Sequence, residues 1–273
     1  MKTLVATLAL MFAVIANAGA AALRIASINP CVDAILIRVA DPDQIVGISH
    51  YSQDARSTSI PLDVATRFHA TSGTAEEIVV LHPDLVMSGP HVSPSTILAL
   101  ERMKIRIVKF RVAESVDESL EQVRAIAEAV GHPQRGELLA TQIEQAVARA
   151  RVSDGKSIAA LIWQSGGMVP GTGTLADELL RLAGFKNMSA EYGLEKWDVL
   201  PLEYLLNRPP DLVLSISRDE VTGDRMLGHP AVRELAREVA FRKYPFRLLA
   251  CAGPTIIEAT TRLADIRREL VAQ

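Results

Sequence analysis

Two cysteines, two tryptophans and an aromatic share of 4% are all that these 273 residues contain of those types, and their charges nearly balance at a net −3. The balance removes the basic surplus that marks a nucleic-acid partner. Cys31 and Cys251 cannot make a disulfide-stapled scaffold, and a chain this long does not need one for its core. Whether they meet is left open, because pairing requires Cα atoms roughly 4.4–6.8 Å apart. Long apolar runs are lacking beyond the first 22 residues. Hydrophobic residues at 49% and charged residues at 22% describe an ordinary globular chain.

Recognisable catalytic chemistry is lacking too. Gln164 to Gly173 is glycine-rich, but it has neither the Gly-Lys-Ser/Thr ending of a phosphate loop nor dinucleotide spacing. There is no G-x-S-x-G elbow. The six histidines show no H-E-x-x-H or paired-cysteine spacing, so no resident metal or cofactor is expected. His132 and His229 each precede a proline and read as structural. His50 and His91 follow strand ends; with Tyr51 they form a donor set suited to iron or a metal macrocycle, the alternative being solvated loop histidines. Cys31 opens a helix, where the dipole favours a thiolate. An exported enzyme using Cys31, with His50 beside it, is therefore an alternative reading, though no orienting acid is evident.

The one apolar run reads as a signal peptide over residues 1–21. Lys2 supplies the positive region, Leu4 to Ile15 the apolar stretch, and Ala16-Asn17-Ala18 or Ala18-Gly19-Ala20 the cleavage site. Export to a bacterial periplasm, without an anchor, is expected.

Strands and helices then alternate. Strands are expected at Leu23–Ile28, Ile45–Ser49, Leu85–Ser88 and Ile105–Phe110. Helices are expected at Val32–Val39, Thr74–Leu81, Pro94–Met103 and Ser115–Val130, with Thr74 and Glu77 as a capping box. A second set follows: strands Ser157–Trp163, Leu212–Ile216 and Phe246–Ala250, and helices Thr174–Ala183, Leu202–Asn207 and Pro254–Leu270. Between the sets lies Pro133–Val152, whose Leu138, Leu139, Ile143, Ala146, Val147 and Ala150 recur at helical spacing. The expectation is α/β: two Rossmann-like lobes with parallel sheets, residues 22–132 and 153–273, joined by one long rigid helix over 133–152. A crossover helix within one large sheet is the alternative.

Ligand contacts in such lobes come from loops leaving the carboxyl ends of strands. These hold Asn29, Cys31, His50, Tyr51 and His91 in the first lobe, and Gln164, Met168, Ser217, Arg218 and Cys251 in the second, with Trp163, the last residue of its strand, counted as a ligand contact beside them. Trp197 sits in the polar stretch Glu195-Lys196-Trp197-Asp198, either offering a flat face to a ligand or packing on its own lobe.

Five segments in order resemble one family: SINPCVDAIL, VGISHYS, TAEEIVVLHPDLVMSG, LPLEYLLNRPPDLVLSIS and GPTIIEATTRLADI. The Pro-Asp-Leu-Val block occurs once per lobe, at Pro83–Val86 and Pro210–Val213. The pattern resembles the substrate-binding proteins of bacterial ABC importers for vitamin B12, ferric siderophores and heme, over about Leu23 to Leu270. That resemblance implies a monomer that performs no catalysis. It also implies a small-molecule cargo that is a cobalt or iron complex, and docking of Glu76 and Glu203 onto an inner-membrane permease. Tyr51 and Trp197 match positions that stack on the corrin of the B12-binding member. Ala70-Thr71 and Met168-Val169 stand where that member has further aromatics, which costs about 1–2 kcal/mol of stacking if nothing compensates. Cobalamin or a related corrinoid leads, a ferric siderophore follows, and heme comes third through His50, Tyr51 or His91.

Overall fold

A computed structural model describes residues 22–153, 155–215, 229–235 and 237–272. The expected signal peptide, and Ser217 and Arg218, lie outside these residues. Among the described residues no helix is long and apolar enough to cross a membrane.

The first sheet has five parallel strands: β1 (Ile25–Ser27), β2 (Ile45–Ser49), β3 (Ala70–Thr71), β4 (Leu85–Ser88) and β5 (Arg106–Lys109), in the order β3-β2-β1-β4-β5. Every residue of β1 and β4 is buried, as befits a parallel sheet covered on both faces. The chain reverses direction across the sheet between β1 and β4. Its ligand crevice therefore belongs at the carboxyl ends of those two strands.

A second sheet of four parallel strands comprises β6 (Ile158–Trp163), β8 (Phe185–Asn187), β10 (Leu212–Ser215) and β11 (Ala240–Lys243), in the order β11-β10-β6-β8. An antiparallel pair, β7 (Met168–Pro170) and β9 (Trp197–Val199), stands apart from it.

The Pro-Asp-Leu-Val blocks do the same work in both sheets. Asp84 Oδ2 accepts the Arg24 N–H at 2.8 Å, at the entrance of β1. Asp211 Oδ2 accepts the Ala159 N–H at 2.8 Å, near the entrance of β6. Each aspartate accepts a backbone N–H where a central strand begins.

Between the sheets in sequence runs α6 (Pro133–Ala150), the sixth helix after α1 (Pro30–Val39), α2 (Leu62–Ala65), α3 (Ala75–Val80), α4 (Pro94–Arg102) and α5 (Val116–Ala129). Its 18 residues span about 27 Å. Leu139, Ala140, Ile143, Ala146, Val147 and Ala150 face inward, whereas Leu138, expected with them, is 65% exposed. Gly136 lets α6 close on α5, since a Cβ there would lie 2.5 Å from the Ala127 methyl. One apolar cluster joins Ile25 and Ile35 from the first set of elements, Ile143 from α6, and Ile162 and Leu263 from the second.

Three expectations change. Phe246–Ala250 is not a strand: Arg247–Ala250 is a turn of helix, and the strand is β11, just before it. Pro245 cannot donate to a ladder, and the leucines that follow lack the β-branching that favours strands. The glycine-rich loop carries β7 within it. At the start of α3, Thr74 does accept the Glu77 N–H, but the Glu77 carboxylate turns away to Thr71 Oγ1 at 2.8 Å and Ser72 N at 2.6 Å. Those two contacts hold its pKa below the usual carboxylate range, the Thr71 hydroxyl first.

Candidate functional site

At the carboxyl end of β1, Asn29 caps α1: its Oδ1 accepts the Cys31 N–H at 2.9 Å, and Pro30 takes the first helical position. Gly89, just after β4, lies so close that a Cβ there would fall 2.1 Å from Asn29 Nδ2. A side chain at position 89 would have to push the Asn29 amide aside, and with it the cap of α1.

The turn after β2 carries His50 and Tyr51, with ring centroids 4.1 Å apart. His50 Nδ1 lies 3.2 Å from the Thr71 carbonyl, so it donates there and leaves Nε2 as the free acceptor. Beneath the turn Asp33 of α1 is fully buried. Its Oδ2 accepts the Ser49 N–H at 2.9 Å and the Ser52 hydroxyl at 2.6 Å. Burial pushes this carboxyl up to about 7, opposed by hydrogen bonds from Ser27, Ser52 and the Ser49 N–H.

From the second set of elements, Gly166 and Gly167, with φ of 76° and 80°, bend the chain back so that Met168 starts β7. Pairing of Pro170 with Trp197 and of Met168 with Val199 makes a short ribbon. The glycines thus build a tight turn into a flap rather than a phosphate cradle. Lys196, at the ribbon's edge, reaches Glu114 Oε2 at 2.5 Å, in the segment after β5.

These loops line one cleft of about 1230 Å³, above the roughly 300–1,000 Å³ of ordinary small-molecule pockets. Asn29, Cys31, His50, Tyr51, His91, Gln164, Met168, Trp197 and Cys251 all line it. Tyr51 is 52% exposed and Trp197 41%. Trp163 is the exception. It is buried with Leu161, Val169, Leu205 and Val213, because as the last residue of β6 it points into the apolar layer.

Cys31 and Cys251 form a disulfide with Cα atoms 5.0 Å apart, 220 residues apart in sequence. No thiol remains at Cys31 for nucleophilic attack, which removes the basis of the cysteine-enzyme reading. Among the described residues no group of three or more histidine, cysteine or acidic side chains is poised around a metal position. Glu76 and Glu203 are exposed, each the second residue of its helix, α3 for the former and Leu202–Asn207 for the latter.

Sequence reasoning missed Arg111 to Glu114, Lys196, Phe246 and Leu249, all on the cleft wall. The rule that finds strand-end loops applies equally to the segment after β5. Phe246 and Leu249 were hidden by the strand expected there.

Two parallel-sheet units with strand-end loops facing one large cleft define the class of two-lobed ligand-binding proteins. The chain belongs to the periplasmic binding protein family, whose match covers residues 25–236.

A cobalamin-binding protein of Halobacterium salinarum is 24% identical over 208 residues, covering 74% of this chain and 55% of that protein. The chain therefore spans about half the length of that relative. A vitamin B12-binding protein of Photorhabdus laumondii is 24% identical over 253 residues, covering 90% of this chain and 88% of its own. Among solved structures, the apo periplasmic heme-binding protein of Roseiflexus superposes with a TM-score of 0.73 at 23% identity, covering 89% of this chain and 98% of that one. The vitamin B12-binding protein of Vibrio cholerae gives 0.69 at 18%, covering 92% and 98%. Both structures share the fold.

Proposed function

We propose that the protein, exported by a cleaved signal peptide, captures a metal-containing nutrient in the cleft and delivers it to an ABC importer, and that the cargo is cobalamin or a related corrinoid. The observation that carries this reading is the pairing of Tyr51 and Trp197 on one oversized cleft, one from each side of α6 in sequence. Exposed aromatic faces of this kind suit a broad, flat, partly apolar ring system. Asn29, Gln164 and the other polar lining groups suit the amides at its rim. The two sequence relatives are named for cobalamin or vitamin B12, whereas the Roseiflexus structure is named for heme.

Heme is the second reading, favoured by His50: its Nε2 lone pair is free beside Tyr51, as an axial ligand to iron requires. Delivery would use Glu76 and Glu203 against arginines of the permease, charge pairs that set orientation and encounter rate.

Tryptophan fluorescence of the mature protein, titrated separately with cyanocobalamin, hemin and ferric siderophores and corrected for absorption, tests the assignment. Saturable sub-micromolar quenching by cyanocobalamin is expected. Quenching by hemin alone replaces it with the second reading, and no saturable response to any of them removes the cargo class.

A further inference from the structure

We propose that the Cys31–Cys251 disulfide is a redox modification site on the floor of the cleft: a small dithiol entering the cleft opens it, and opening it loosens the surface on which cargo rests. The cargo arm of this inference rests on the function proposed above; the redox arm stands on the disulfide's placement.

The bond joins elements from opposite sides of α6. Cys31 is the second residue of α1, and Cys251 follows the helical turn Arg247–Ala250. Both cysteines line the cleft, together with their neighbours Asn29, Val32, Ala250 and Ala252. Beside the bond, the Gly253 N–H donates to Ser119 Oγ of α5 at 2.8 Å, and a Cβ on Gly253 would strike Ile35 of α1 at 2.7 Å. This is therefore the place where the segment after β11 seats on α1 and α5, and the disulfide is its covalent fastening.

The two sulfurs differ in access. Cys31 is partly exposed, whereas Cys251 is 6% exposed. A thiolate of the dithiol attacks the Cys31 sulfur, and Cys251 leaves as a thiolate that takes a proton from water. The second thiol then attacks the mixed disulfide and releases Cys31 as a thiol. The protein bond gains two electrons and two protons, and the dithiol becomes its own disulfide. Bound cargo covers the path of attack. If the reduced floor holds cargo less tightly, cargo in turn stabilises the oxidised form, because such coupling is reciprocal.

Native protein is treated with dithiothreitol, and reduction is followed by alkylation and mass spectrometry, with and without cyanocobalamin. Amide hydrogen exchange compares the oxidised protein, the reduced protein and the Cys31→Ser/Cys251→Ser variant. The bond is expected to open without denaturant. Exchange should rise in residues 29–33 and 247–253 while the rest of the fold keeps its protection. Saturating cyanocobalamin should slow reduction by about tenfold or more, and cyanocobalamin affinity should fall about tenfold on reduction. A bond that opens only in denaturant overturns the proposal, as does unchanged exchange in those segments. Global unfolding of both the reduced protein and the double variant also overturns it, because the bond is then a staple for the whole fold. Unchanged reduction rate and affinity with cyanocobalamin demonstrably bound overturn the cargo arm. Absence of cyanocobalamin binding in every form overturns the cargo assignment instead, and hydrogen exchange still decides the redox arm.

Discussion

The Asp33 carboxylate accepts the Ser52 hydroxyl at 2.6 Å, and through this bond α1 holds the turn that presents Tyr51 to the cleft. The carboxyl group is fully buried, so its protonation is coupled to folding. The folded carboxyl keeps its proton up to about pH 7, whereas the unfolded one releases it near 3.8. Between those values the folded state carries more protons. Stability should therefore be greatest below about pH 4 for this group, fall as pH rises towards 7, and level off above, by up to about 4 kcal/mol in all. Asp33→Asn keeps an oxygen to accept both hydrogen bonds and has no proton to lose. Its urea-unfolding free energy should lose this decline relative to the native protein's; parallel profiles would dismiss Asp33 as the titrating group.

Trp163 and Trp197 should separate under mutation. Trp163→Ala empties a packed site in the second sheet's core and should cost roughly 3–5 kcal/mol in denaturant unfolding. Trp197→Ala removes a 41% exposed side chain. It should leave the unfolding midpoint nearly unchanged while weakening cyanocobalamin about tenfold or more, or about 1.4 kcal/mol. Equal loss of stability in the two variants would place Trp197 in the core instead.

Charge reversal at Glu76 and Glu203 should leave cargo affinity almost untouched and lower stability by about 0.6–2 kcal/mol per site, since each exposed acid in a first helical turn is worth about 0.3–1 kcal/mol to its helix and reversal adds a like repulsion. Capture of the protein by its detergent-solubilised permease should fall sharply in the double variant Glu76→Lys/Glu203→Lys. Undiminished capture would return both glutamates to a simple dipole role.

How much of this was legible in sequence depended on whether a signal was local. Both Pro-Asp-Leu-Val blocks were, as a turn signal leading into an apolar strand, whereas the bonds from Asp84 to Arg24 and from Asp211 to Ala159 span 60 and 52 residues and were not. The spacing along α6 was equally local. Cys31 with Cys251, and Lys196 with Glu114, were not, since each pair meets only after the chain folds across α6. Trp163 was misplaced for a different reason. Strand-end position says a residue is near the cleft, but the alternation of faces decides which way it points, and β6 is apolar throughout. Phe246 to Ala250 failed because a short apolar run does not distinguish a helical turn from a strand.

The central claim is that Tyr51 and Trp197 together grip the cargo in one cleft. Isothermal titration calorimetry with cyanocobalamin on the mature native protein and on Tyr51→Ala/Trp197→Ala tests it most directly. One site with sub-micromolar affinity in the native protein, weakened about a hundredfold or more in the folded double variant, is the predicted result. No saturable heat with the native protein, or equal affinity in both, would contradict it.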